Sequence, residues 1–473
     1  MDDSILDYAD KAIRFAQDLG VQYCDVRAED QALKSVLIED QAVEYTRQSN
    51  DIGLGVRLIK NGAWAFCSIT NPKSLEHVRD KISKAAKNAQ HYGEDRQNKI
   101  RLAQNNSDET TIDYPATIEP ELEEITKLGL ECSKTISETP RIIKSVIHPW
   151  FVKNSRYFAN TEGAKILQNF TDVVMDMNAI SHESGLVQSV NTTEGGRGGL
   201  EQITKDDKIQ TAAKEISQRA SQLIDATPAK EEKTTVVMNP DFVALLTHEI
   251  LGHPSEADRV LGREMAWAGG AWWKGKRGEK IGSEHLTVFD DPTIRQSLGW
   301  YQYDDEGVRA KKTTLVEDGL LKEHMQSRET AETFDSVPTG NMRATSYRFM
   351  PLIRMACTCI APGEYNPEEM IKDVRDGYYI SNMKIPSIDM KRFSWSISAQ
   401  YAQKIKDGEL ADLKRDVIVA GVAPEFFKSV DACGKDFTVR PITNCGKGDP
   451  MQSMMMGNGG PTIRGTATVR SMN

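Results

Sequence analysis

No stretch of this 473-residue chain comes near the roughly 18 consecutive apolar residues of a membrane-spanning helix, which speaks against a membrane partner. Lysine and arginine are nowhere concentrated, and a net charge of -10 is a poor match for a phosphate backbone, so a nucleic-acid partner is not expected. A GxSxG nucleophile elbow is missing, which removes serine-hydrolase chemistry of that type. Low-complexity tracts and tandem repeats are missing as well. Cysteine is sparse and odd in number, 7 in all, which argues against a disulfide framework and for a reducing, cytoplasmic setting. The opening MDDSILDYADKAIRFAQ reads as an amphipathic, acid-led helix rather than a targeting peptide.

Histidine is scarce too, with 8 in the chain, yet two of them fall five residues apart in THEILGHPSEAD, residues 247–258. His248, Glu249 and His253 make an HExxxH pattern, two imidazoles for a metal with a carboxylate beside them. The commoner HExxH places its histidines four apart on one helical face. Five steps of an ideal α-helix leave the rings about 140° apart, too far to hold one ion. A single π-type turn would bring them to the same face, and such turns are frequent at functional sites. Gly252 and Pro254 supply the means for a local break, and Pro254 is expected to push His253 out of the α region, at or just past the helix end.

The start of that helix is equally legible. A β-rich run from Thr234 to Met238 precedes Asn239 as N-cap, Pro240 at the first helical position and Asp241 in the first turn. Elsewhere the pattern predicts strands at Val21–Arg27, Val36–Glu44, Gly53–Leu58 and Trp64–Ile69. Helices are expected near Pro72–His91, Pro120–Glu138 and Lys205–Ile224, with Gln104–Thr117 a loop and Asp225–Lys233 a linker. The fold class expected is α+β in two lobes: residues 1–230, a mixed sheet-and-helix domain, and residues 231–473, a strand-rich domain carrying the metal helix.

The HExxxH segment resembles the HEavGHglEgD signature of TldD subunits in the TldD/TldE (PmbA) metallopeptidase family, matching at His248, Glu249, Gly252, His253, Glu256 and Asp258. Four further blocks resemble the family in the same order: GEKIGSEHLTVFDDPTI (278–294), YDDEGVRAKKTTLVEDGLL (303–321), PTGNMRAT (338–345) and PLIRMACTCIAPGE (351–364). The N-terminal half is similar more loosely, through CDVRAED, GLGVRLIKNGAWAF and MDMNAISHESG. Family members with this motif take their third ligand from a cysteine near the C-terminus, ahead of a GxGxPT stretch. Two candidates exist here, in CGKD from Cys433 and CGKG from Cys445. Cys445 fits the family spacing to Pro461 better, although CGKGDPMQ carries about two extra residues before its glutamine.

The resemblance thus implies a metallopeptidase in which His248, His253 and Cys445 bind zinc and Glu249 is the general base. Iron(II) also suits these ligands. It further implies a buried site, short or unfolded peptide substrates added as a strand to a sheet edge, and a dimer, with a TldE-like sister subunit as the candidate partner. The alternative is a non-catalytic peptide- or protein-binding modulator with a structural metal.

Other patterns read as scaffold. GAWWKGK (270–276) has the letters of a phosphate loop, but Arg277 replaces the magnesium-binding Ser or Thr. Trp267, Trp272 and Trp273 read as packing, with a hydrophobic lid as the functional alternative. Glu194–Gly199 reads as a hairpin tip, and Asp290-Asp291 and Asp304-Asp305-Glu306 as solvated turns or caps. The remaining cysteines, Cys357 and Cys359 among them, are expected to pack as small hydrophobes.

Overall fold

A computed structural model describes residues 3–116, 119–264 and 270–472. The protein is α+β, and a first sheet dominates its N-terminal half. Its strands are β1 (Tyr23–Glu39), β2 (Ala42–Lys60), β3 (Ala63–Thr70), β4 (Glu109–Asp113), β5 (Ile142–Asn160), β6 (Lys165–Glu183) and β7 (Leu186–Arg197). They run in the order β3-β2-β1-β5-β6-β4, with β7 also paired to β6.

Period-two alternation sorts the two faces of this sheet. Cys24, Val26 and Ala28 on β1 and Leu54, Val56 and Leu58 on β2 pack beneath α1 (Asp3–Asp18) and α2 (Leu75–Glu94). Farther along the same strand, Val36 and Ile38 pack with α3 (Leu122–Ser137) and the helix Lys208–Leu223. The intervening residues are charged but buried, because the second lobe covers them. Arg57 bonds Asp25 within the sheet (2.6 Å) and reaches Glu306 across it (3.1 Å), while Tyr347 donates its backbone N–H to Glu29 (2.8 Å). Gly53 and Gly55 admit this loop, since a Cβ on either would lie within 2.5 Å of Tyr347 atoms.

Several local expectations are corrected here. The first two predicted strands are one, β1, and the turn falls at Asp40-Gln41, both with positive φ. The expected loop at Gln104–Thr117 contains β4, which exists only by pairing in parallel with β6. Glu194–Arg197 belongs to β7 rather than to a hairpin tip; Gly195 lies so close to β6 that a Cβ would come within 2.3 Å of the Val173 carbonyl. Asp290, Asp304 and Glu306 are buried, not solvated, because loop N–H groups and Arg57 satisfy them: Asp304, for example, accepts from Glu306, Val308 and Met342.

The C-terminal half holds two larger sheets. In one, Asp376–Ile388, Glu232–Met238, Ile463–Ser471, Val417–Val422 and Ser394–Lys406 pair in sequence. A further pairing of the first with the last closes these strands into a ring. The other sheet has six strands and ends on Thr438–Lys447, which pairs only with Gln452–Gly460 and so leaves one edge free among the described strands. Between the two sheets runs the helix Pro240–Leu246, whose Phe242, Val243 and Leu246 are fully buried. No helix among the described residues is long and apolar enough to cross a membrane.

Candidate metal centre

The metal-helix start matches the sequence reading. Strand Glu232–Met238 ends at Asn239, whose side chain accepts from the Phe242 N–H (2.9 Å), and Pro240 opens the helix. At Thr247 the helix widens into a π-turn that runs to Gly252, and the His253 N–H donates to the His248 carbonyl five residues back. The two imidazoles consequently meet, with ring centroids 4.7 Å apart.

One detail differs from expectation. His253 keeps helical angles (φ -59°, ψ -39°) and leads into a short 3-10 turn, His253–Ser255, instead of leaving the α region before Pro254. Ordinarily proline clashes with the carbonyl four residues back and cannot donate to it. Here the widened turn relieves the first problem. The second is met from outside, because the indole Nε1–H of Trp272 donates to the orphaned Ile250 carbonyl at 3.0 Å. Trp272 and Trp273 are thus buried packing residues rather than an open lid, and Trp267 lies outside the described residues.

Cys445 arrives from the free-edge strand Thr438–Lys447, at a register shift between Ile442 and Cys445. Its Sγ lies 3.4 Å from His253 Nε2. Ligand atoms of His248, His253 and Cys445 all fall within 4.8 Å of one another, and all three residues are buried. Zinc bonds of about 2.0–2.3 Å in a tetrahedron require ligand atoms about 3.4–3.6 Å apart; the His253–Cys445 pair already stands at 3.4 Å, and closing the remaining separations, none above 4.8 Å, would complete such a site. Cys433 sits elsewhere, donating to the His285 carbonyl (3.3 Å).

The outer ring nitrogens are held by partners. Asn458 Oδ1 accepts from His248 Nδ1 (3.0 Å), and its amide group is oriented by donation to the Thr358 carbonyl (3.1 Å). That leaves Nε2 as the His248 nitrogen available to a metal. His253 Nδ1 lies 3.1 Å from Glu256 Oε2, which Arg259 (2.7 Å) and the fully buried Lys447 (3.1 Å) also hold. Burial alone would push the Cys445 thiol up, but the two imidazoles and Arg354 pull it well below the ordinary thiol value. Burial likewise disfavours a charged His248, and the Cys445 thiolate overcomes this to raise it to about 9. Each group thus holds the other in its charged form inside this buried cluster.

Glu249 occupies the opening of this centre, its side chain 14% exposed and bonded to Arg392. Burial would raise its pKa, but Arg392 and the two imidazoles outweigh this and lower it. A cleft of about 550 Å³ opens beside it, walled by Asp176, Asn191 and Thr193 of the N-terminal sheet and by Ile442–Cys445. Sequence reasoning missed Arg392, Asn458, Lys447 and the N-terminal wall. Lys447 and Asn458 carried a faint signal, in the CGK and GNGG segments; Arg392 carried none.

Two imidazoles, a thiolate and a carboxylate at the mouth of a cleft are the donor types that metal-dependent hydrolases use. Residues 231–469 match the PmbA/TldA metallopeptidase C-terminal domain, residues 24–89 domain 1 and residues 116–224 the central domain. The chain belongs to the PmbA/TldD metallopeptidase family. It is 32% identical over 451 residues to a metalloprotease of Methanothermobacter thermautotrophicus, covering 94% of each chain. To a zinc metalloprotease TldD homolog of Saccharolobus solfataricus it is 27% identical, covering 96% of this chain and 97% of the other. The fold is similar to that of TldE from Thermococcus kodakarensis, with a TM-score of 0.78 at 19% identity, covering 98% of this chain and 100% of that one.

Proposed function

We propose that this chain is a TldD-type catalytic subunit, a zinc peptidase that hydrolyses short or unfolded peptides in the cytoplasm. The observation that carries the reading is the convergence of His248, His253 and Cys445 within 4.8 Å, with Glu249 at the cleft mouth. His248, His253 and Cys445 hold the ion. When bound, zinc supplies a Lewis acid that polarises the peptide carbonyl and acidifies water. Glu249, kept ionised by its neighbours, takes a proton from the attacking water and passes it to the leaving amine. The free edge of Thr438–Lys447 runs past Cys445, so an extended peptide adds there through backbone hydrogen bonds, which favours unfolded substrates over any one sequence.

The division of labour follows the two lobes, with residues 231–473 carrying the chemistry and residues 1–230 closing one wall of the cleft. The similarity to TldE favours a dimer with a TldE-like sister subunit. A structural metal in a non-catalytic modulator would call for a fourth protein ligand. The candidate cluster contains three among the described residues, and the cleft reaches it.

The test is metal analysis together with digestion of an unstructured peptide, with and without a TldE-like partner. Glu249→Gln is expected to keep its zinc and lose about 10²–10⁴-fold in kcat. Full chelator-sensitive turnover in that variant sinks the reading. Cys445→Ser is expected to lose metal while Cys433→Ser keeps it.

A further inference from the structure

The loop between strands Asp376–Ile388 and Ser394–Lys406 is tied down around a single inward residue. The Asp389 carboxylate accepts from the backbone N–H groups of Lys391 (2.8 Å), Phe393 (3.0 Å) and Ser394 (2.6 Å). Trp272, whose indole supports the π-turn, donates its backbone N–H to the Lys391 carbonyl (2.9 Å). Met390 and Phe393 are exposed, 67% and 40%, whereas the Arg392 side chain is 14% exposed and ends on Glu249. Arg392 adopts this course with a φ of +59°, a left-handed backbone that costs a non-glycine residue about 1–2 kcal/mol. Strain of that kind, held in place by several hydrogen bonds, clusters at functional sites.

The guanidinium has donors to spare. One terminal nitrogen donates to Glu249 Oε2, while Nε is buried without a partner. Leaving a buried donor unsatisfied is costly, and the group opens on the same cleft as the ligand trio. A fixed, partly desolvated cation beside the reacting atoms, with an unused N–H, is the arrangement that stabilises developing negative charge.

We propose that Arg392 is a further catalytic residue of the peptidase reaction, donating to the oxygen of the scissile carbonyl as it becomes an oxyanion. This rests on the role of Glu249 given above. The water oxygen bonds to the carbonyl carbon, and one of its protons goes to Glu249. The C=O π pair moves onto the carbonyl oxygen, where the Arg392 N–H groups meet the charge. That pair then re-forms the C=O bond as the C–N bond breaks, and Glu249 delivers its proton to the departing nitrogen. The second water proton stays with the product carboxyl, and Glu249, ionised again, returns to Arg392.

The test compares the full chain with its Arg392→Ala and Arg392→Lys variants, each supplied with the TldE-like partner if turnover requires one. Steady-state cleavage of an unstructured peptide gives kcat and KM, and competition with a chelator gives zinc affinity. Binding of a phosphinic peptide, a tetrahedral anion, is compared with binding of the parent peptide, both in the Glu249→Gln background so that the parent is not consumed. Arg392→Ala is expected to lower kcat about 10²–10³-fold, the usual cost of one oxyanion donor, with KM and zinc affinity unchanged. The phosphinic peptide weakens by a similar factor and the parent peptide does not; added guanidinium restores part of the rate, and the lysine variant falls between. An unchanged kcat overturns the proposal. So does a rise in KM alone, which makes Arg392 a substrate anchor, or a parallel loss of zinc affinity, which makes it structural. A fully active Glu249→Gln enzyme instead removes the underlying reading, so the two failures are distinguishable.

Discussion

Trp272 Nε1 lies 3.0 Å from the carbonyl oxygen of Ile250, four residues ahead of Pro254. The bond gives that buried carbonyl a donor from outside the helix, and it joins a loop 22 residues on in sequence to the turn that brings His248 and His253 together. Replacing Trp272 with Phe keeps most of the apolar bulk and leaves the buried carbonyl unpaired. A loss of about 1–3 kcal/mol is expected. Thermal unfolding of the metal-free protein measures it, and an unchanged midpoint would show that the π-turn does not depend on the indole.

Asn458 fixes the tautomer of His248. If the proposed metal site is right, Asn458→Ala is expected to weaken metal binding about 10–100-fold, the usual effect of losing such a partner, while Asn458→Asp, which still accepts, retains most of it. Chelator competition reads both. Equal loss in the two variants would mean that packing, not the hydrogen bond, matters at this position.

Lys447 is fully buried and holds Glu256, Asp258 and the Ile353 carbonyl. Lys447→Met preserves its length and removes its charge, leaving Glu256 with Arg259 and His253 alone. Breaking a buried pair from one side typically costs about 3–5 kcal/mol. Denaturant unfolding of the metal-free variant checks the loss, and wild-type stability would refute it.

His324 is buried against Trp273 and Phe334, and burial depresses its pKa to about 4. The unfolded chain therefore binds this proton more readily than the folded one between about pH 6.5 and pH 4, and stability falls as pH drops through that window. Between pH 7 and pH 5 the loss attributable to this group is about 2 kcal/mol. His324→Gln is expected to flatten the pH dependence of the unfolding midpoint over this range; an identical slope in the variant would assign it elsewhere.

Much of the metal helix was legible in the sequence because its signals are local. Asn239 and Pro240 mark its start, and a five-residue spacing can hold one ion only if the turn widens. Apolar runs between turn residues likewise marked β1, β2 and β3 of the first sheet. Misreadings came where partners distant in sequence decide the outcome. Arg57 and loop N–H groups turn the acidic runs into buried acceptors, and β6 makes a strand of Glu109–Asp113.

By itself the sequence determined the identity of the candidate donors, the need for a distorted helix end and the family signature spread over its blocks. Only the tertiary structure decided what surrounds them. It placed Cys445 rather than Cys433 beside the histidines, gave each imidazole its partner and set Arg392 against Glu249. The physical reason is one of range: helix capping and turn geometry act over a few residues, whereas the charges, hydrogen bonds and cleft walls of this centre come from segments that meet only when the sheets pack.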